Sequence, residues 1–145
     1  MAVINVSAEA GASTKTYVKA DGHNIFMDEP PLFGGEDSAP SPVSLFLASI
    51  AGCINATGQR IAREMNFVLK HMDVLVNGKI DSDAFFGGDT AKRAGFNDIN
   101  VKIELDADIE QETKDLWLEQ VIARCPVIDN IMNTSNMSFS VIREN

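Results

Sequence analysis

The stretch Ala39-Pro-Ser-Pro-Val-Ser-Leu-Phe-Leu-Ala-Ser-Ile-Ala-Gly-Cys53 decides how this 145-residue chain is read. Ser41 is a good N-cap, and Pro42 suits the first helical position. A helix is therefore expected from Pro42 to about Asn66, roughly 25 residues or about 37 Å. Its first half is rich in small residues. Ser44, Ala48, Gly52 and Ala56 recur every four residues and make one smooth face, which lets another helix backbone approach closely. Gly52 costs about 1 kcal/mol of helix propensity relative to alanine, and a close helix contact is the natural compensation.

Upstream of this helix the chain reads as a three-stranded meander. Ile4, Val6 and Ala8 alternate with polar neighbours, Tyr17 and Val18 mark a second strand, and Asp21-Gly22 is a hairpin turn signal. His23 to Asp28 returns with Ile25 and Met27 on one face. Glu29 to Pro40 is a loop rich in proline and glycine, and the acidic pair Asp28-Glu29 is expected to shape it. Downstream, a strand is expected over Leu69 to Ile80, then a loop through Thr90. Ile99, Val101, Ile103 and Leu105 alternate with polar residues and should give a strand with one dry face. Asp108 to Gln111 resembles a capping box opening a helix to about Arg124, with Leu116, Trp117 and Val121 on its inner side. Cys125-Pro126 starts a short helix with Val127/Ile131 and Ile128/Met132 as i, i+4 pairs. Met137, Phe139 and Val141 suggest a last strand. The order is α+β rather than a βαβ repeat, in one domain spanning 1–145.

The net charge is −9, from 21 acidic and 12 basic residues. That disfavours nucleic-acid backbones and anionic membrane surfaces as partners. The N-terminal stretch has no basic and apolar signal-peptide pattern, so a cytoplasmic location is the default expectation. Two free thiols there call for a packing role or a redox role. Cys53 lies in an apolar helix, where a buried structural thiol is one reading. Cys125 precedes a proline-started helix and faces unpaired N–H groups, a setting that favours thiolate. Arg60 follows Cys53 by seven residues on nearly the same face, about 10 Å along the axis, and should lean back toward it. Arg63 lies about 15 Å along and is turned about 80° away. His23 and His71 with the cysteines match no local zinc spacing, so no metal and no cofactor are expected.

These motifs resemble those of the OsmC/Ohr superfamily, the osmotically induced and organic hydroperoxide resistance proteins. The helix motif ending at Cys53 looks like the family's central helix. Gly22-His23 through Asp28, Gly34-Gly35, Phe96 to Leu105 and Cys125-Pro126-Val127 follow in the family's order, so the likeness runs from about Gly22 to Val141. The resemblance implies an intertwined homodimer in which antiparallel sheets wrap long central helices. It also implies an interface pocket for a small apolar hydroperoxide. There Cys53 would attack the peroxide, Cys125 would close a disulfide, and a dithiol would reduce it. The chain departs from the peroxidase pattern twice. Val43 stands where those members carry glutamate, and no arginine precedes Arg60, where they carry one in the N-terminal strands. The resemblance thus implies weaker peroxidase chemistry, with Arg60 as a partial substitute. A non-catalytic protein that binds a small molecule or acyl group in the same pocket is the alternative.

Overall fold

The computed structural model describes residues 2–89 and 91–142. They divide into two compact units, one up to Ala48 and one from Ser49 onward, with the boundary inside the long helix.

In the first unit, strands β1 (Val6–Ala10), β2 (Thr16–Ala20) and β3 (His23–Met27) form an antiparallel meander in that order. Asp21 and Gly22 both take positive φ, 48° and 82°, the geometry a two-residue hairpin turn requires. The register aligns Ala8, Val18 and Ile25 across the sheet, and Val18 is buried. On the opposite face Tyr17 stacks on Phe26 at 4.9 Å. All of β1 is exposed, and Ile4 precedes the strand rather than joining it.

The loop after β3 is organised by Asp28, which has no exposed surface. Its carboxylate accepts hydrogen bonds from Thr14 Oγ1 (2.8 Å), the N–H groups of Glu29, Glu36 and Ser38 (2.9, 3.1 and 3.1 Å) and Ser38 Oγ (2.7 Å). Sequence placed this acidic pair as a loop-shaping element, and Asp28 is the member that does it. The Ser38 hydroxyl first, then the backbone N–H groups and Thr14, hold its carboxyl well below the usual carboxylate range against the opposing effect of desolvation. A carboxylate depressed in the folded state adds stability above its unfolded pKa and loses it as pH falls toward the folded value. Asp28→Asn should therefore lower the urea midpoint at pH 7. Its difference from wild type should shrink as pH falls from about 5. A difference that stays constant down to pH 2 would show that the carboxylate charge is not what orders the loop.

Helix α1 (Pro42–Glu64) starts where the sequence predicts. Ser41 Oγ accepts from the Ser44 N–H at 3.3 Å, an N-terminal cap. At the other end Asn66 takes φ 59°, and the Phe67 N–H bonds the Ala62 carbonyl at 3.0 Å, which closes the helix as a left-handed cap does.

The second unit contains β4 (His71–Ile80) and β5 (Phe96–Asp106), an antiparallel pair with a register shift at Lys79/Ile80. Met72, Val74 and Val76 stand opposite Leu105, Ile103 and Val101, so one face is apolar as the alternation requires. Helices α2 (Gln111–Arg124) and α3 (Pro126–Met132) follow. Ile50, Ile54, Ile61 and Ala62 of α1 are buried, as are Leu69, Trp117, Val121 and Cys125.

Three expectations differ from what forms. The Asp108 capping box is absent: Asp108 instead takes an ion pair with Lys70 at 2.6 Å, and the N-cap is Glu110, which makes no side-chain cap bond. Leu116 is 51% exposed, because the buried stripe of α2 runs through Trp117 and Val121, one turn apart, and Leu116 lies off that line. Residues 133–142 form no strand, and Met137, Phe139 and Val141 are exposed. A strand needs an edge to pair with, and β4 and β5 pair only with each other among the described residues.

Candidate functional site: a cysteine pair in the second unit

Cys53 lies in the middle of α1 and is half-buried. Cys125 ends α2 and begins α3, with no exposed surface. Its N–H donates to the Val121 carbonyl (2.9 Å), and its carbonyl accepts from the Asp129 N–H (2.9 Å). The corner is thus held by backbone bonds on both sides. Both cysteines are free thiols, and the two side chains lie within hydrogen-bonding reach of each other. The fold therefore joins residues 72 positions apart that the sequence could only pair by resemblance.

Two pieces of packing bring them together. The Trp117 ring lies against α1 at Gly58, where its Nε1–H donates to the Gly58 carbonyl at 3.0 Å in a buried bond. A Cβ at position 58 would sit 2.5 Å from Trp117 Cζ2, so the close approach of α2 needs glycine there. At the helix ends, Arg124 grips the Glu64 carboxylate with both guanidinium nitrogens: Nη1 to Oε2 at 2.5 Å and Nη2 to Oε1 at 3.0 Å. Arg124 immediately precedes Cys125, so this clamp and the Trp117 contact position the thiol. Neither the Gly58–Trp117 nor the Glu64–Arg124 partnership was read from sequence. Each joins residues some 60 positions apart, and no local pattern marks it.

The electrostatics correct the sequence expectation for Cys125. Burial pushes its thiol up, and the hydrogen bond and charge of Cys53 push the same way. The N–H groups of Ile128 and Val127 pull it down, as a helix start should, but they do not prevail. The net effect favours the thiol over the thiolate at Cys125. Cys53 has a further polar neighbour one turn along α1: its Sγ is 3.9 Å from Thr57 Oγ1.

Arg60 is 75% exposed at its side chain, and its Nε pairs with Glu64 Oε1 at 3.0 Å. Its ion-pair partner thus lies one turn further along α1 from Cys53. Val43, at the position discussed above, is 42% exposed in the first unit. A concavity of about 450 Å³ on the meander, lined by Tyr17, Phe26, Glu9 and Lys19 among others, contains neither cysteine. Among the described residues, no group of three or more His, Cys, Asp or Glu side chains could hold a metal, and no helix is long and apolar enough to cross a membrane.

Known proteins resemble this chain in sequence and in fold. The chain is 25% identical over 125 residues to a hydroperoxide reductase of Mycoplasma genitalium, covering 84% of this chain and 82% of that one. Its fold is similar to that of an OsmC-like protein from Mycoplasma pneumoniae (TM-score 0.78, 17% identity, covering 92% of this chain and 89% of that one). It is also similar to an organic hydroperoxide resistance protein OsmC from Legionella pneumophila (TM-score 0.66, 17% identity, 90% of each chain). The family model described as OsmC-like protein matches residues 35–140, which take in the long helix, both cysteines and everything between them, and the chain belongs to that family.

Proposed function

We propose that the chain is a cysteine-based, thiol-dependent peroxidase that reduces organic hydroperoxides in oxidative-stress defence. The observation that carries this reading is the half-buried Cys53 thiol set beside the fully buried Cys125, with which it is in hydrogen-bonding reach. The Cys53 thiolate attacks the terminal oxygen of ROOH; the O–O bond breaks, Cys53 becomes sulfenic acid, and the alkoxide leaves as ROH after taking a proton. The Cys125 sulfur then attacks the Cys53 sulfur and forms the disulfide. The sulfenic hydroxyl leaves with the Cys125 proton as water. A dithiol reductant returns both thiols and is itself oxidised to a disulfide. Burial raises the barrier to deprotonating Cys125, which keeps it in reserve until the sulfenic acid forms.

The site belongs, in this reading, to a cytoplasmic homodimer whose protomer is one OsmC-like domain. Ser44, Ala48, Gly52 and Ala56 are all exposed, and a Cβ at position 52 would meet nothing within 4 Å. In a single protomer Gly52→Ala would gain about 1 kcal/mol of helix propensity. Against a close partner helix, Gly52→Leu overpacks the contact at a cost of about 1–3 kcal/mol. The exposed Met137, Phe139 and Val141 supply a further alternating segment for a partner to cover. The expected result is that Gly52→Leu loses the dimer in light scattering and lowers stability. A monomeric wild type at micromolar concentration would remove the dimer from this reading.

The function is tested by stopped-flow oxidation of Cys53 with an alkyl hydroperoxide and with hydrogen peroxide. A fast reaction selective for the alkyl species is expected, though slower than in members with the Arg–Glu pair. Losing a preorganised electrostatic partner costs about 10²–10³ in rate. In this reading Arg60 acts on Cys53 only as a positive charge seven residues along the same helix, already paired with Glu64. Because Glu64 already engages it, Arg60→Ala should slow oxidation by much less than that factor. If wild type reacts no faster than a free thiol at the same pH, the chain is instead a non-catalytic binder of a small molecule or acyl group.

A further inference from the structure

We propose that Thr57 is a catalytic residue of this site, its hydroxyl donating a hydrogen bond to the Cys53 sulfur and stabilising the thiolate. The inference rests on the cysteine chemistry proposed above and names the group that supports it. Thr57 Oγ1 lies 3.9 Å from Cys53 Sγ, one helical turn further along α1, and both side chains are half-buried. The i, i+4 spacing places the two on one helix face. Side chains lean toward the helix N-terminus, which aims the hydroxyl at the sulfur.

A thiolate in a half-buried site is stabilised by hydrogen-bond donors. The titratable group facing Cys53 from the α2–α3 corner is Cys125, whose thiol is neutral and a weak donor. Of the charged groups on its own helix, Arg60 and Glu64 pair with each other, Glu64 is also held by Arg124, and Arg63 lies in the last turn of the helix. The Thr57 hydroxyl is within reach of the sulfur at 3.9 Å. Its one proton has a competing acceptor, since a helical threonine can bond the carbonyl one turn back, which here is that of Cys53 itself. A sulfur that carries charge is the acceptor that gains from the exchange, because hydrogen bonds to ionised groups are about twice as strong as neutral ones. The contact therefore tightens as the thiolate forms and again favours thiolate over thiol.

The test compares Thr57→Val, which keeps the shape and removes the hydroxyl, with Thr57→Ser, which keeps the hydroxyl. The first readout is the rate of Cys53 alkylation by iodoacetamide as a function of pH. The second is its oxidation by an alkyl hydroperoxide. Thr57→Val should move the alkylation midpoint to higher pH and slow alkylation at pH 7 by about three- to tenfold. Thr57→Ser should recover most of this. If Thr57→Val does not fold, Thr57→Ala against Thr57→Ser carries the same comparison. A Thr57→Val profile superimposed on wild type, or a Thr57→Ser profile no better than Thr57→Val, overturns the inference. If the alkylation profiles separate as expected but wild type consumes no hydroperoxide, the thiolate role of Thr57 stands and the peroxidase reading is the one that fails.

Discussion

Cys53→Ser is expected to reduce hydroperoxide consumption to the uncatalysed background, whereas Cys125→Ser should keep a first oxidation and lose turnover. The asymmetry follows from where the two thiols sit. Cys53 is the thiol with solvent access, and Cys125 has none. On the proposed reading a hydroperoxide would therefore meet Cys53 first. Without Cys125 the sulfenic acid has no internal thiol to meet. It should proceed under excess hydroperoxide to sulfinic acid, seen as a gain of two oxygens on the Cys53 peptide. In wild type, one equivalent of hydroperoxide should instead yield a single Cys53–Cys125 crosslinked peptide under non-reducing conditions. Serine places a hydroxyl in an enclosed site, so Cys125→Ala serves as the companion variant. Over-oxidation of Cys53 in wild type, with Cys125 still free, would remove Cys125 from the resolving role. The same experiment reports on order of reaction. Iodoacetamide should modify Cys53 first and leave Cys125 unlabelled until the corner opens.

The second large effect is on stability. Trp117→Ala should cost about 3–5 kcal/mol, the range for deleting a large aromatic from a core. Trp117 is 1% exposed and fills the space between α2 and the α1 segment around Gly58. Gly58→Ala probes the same contact from the other side. Alanine gains about 1 kcal/mol of helix propensity. Its Cβ would nevertheless sit 2.5 Å from Trp117 Cζ2, and the ring is tethered by its bond to the Gly58 carbonyl. Overpacking of this kind costs about 1–3 kcal/mol, so the net effect should be destabilising. Trp117→Phe separates the hydrogen bond, about 0.5–1.5 kcal/mol, from the packing. Urea midpoints at one fixed protomer concentration are the measurement, since stability of an assembly depends on concentration. The functional consequence is specific. Loosening Trp117 frees the helix that carries Cys125, and alkylation of Cys125 should accelerate in Trp117→Ala before global unfolding. A Trp117→Ala variant as stable as wild type, with Cys125 still protected, would show that another contact holds the corner.

The sequence by itself determined the elements whose causes are local. Ser41 and Pro42 set the start of α1 because a cap and a fixed φ act within one turn. Asp21-Gly22 set the hairpin because its two positive φ angles belong to those residues alone. Alternation placed Val101, Ile103 and Leu105 on one face of β5 because the period of a strand is two. Even the loop role of the Asp28 pair was legible, from its place at the edge of a proline-glycine run. Tertiary structure decided what depends on distant partners. Lys70 drew Asp108 away from the cap it was expected to make. Burial turned Cys125 from the expected thiolate into a held thiol, although the helix-start N–H groups are present. Glu64 took Arg60, and Thr57, unremarked in the sequence, came to lie against Cys53. Met137, Phe139 and Val141 alternate as a strand would, yet an alternating pattern carries only half of a strand. The other half is an edge with unpaired N–H and C=O groups, and among the described residues this segment is paired with none. Hydrogen-bond geometry within a turn is a property of a few neighbouring residues. Desolvation and strand pairing are properties of whatever the rest of the chain, or a second copy of it, brings alongside.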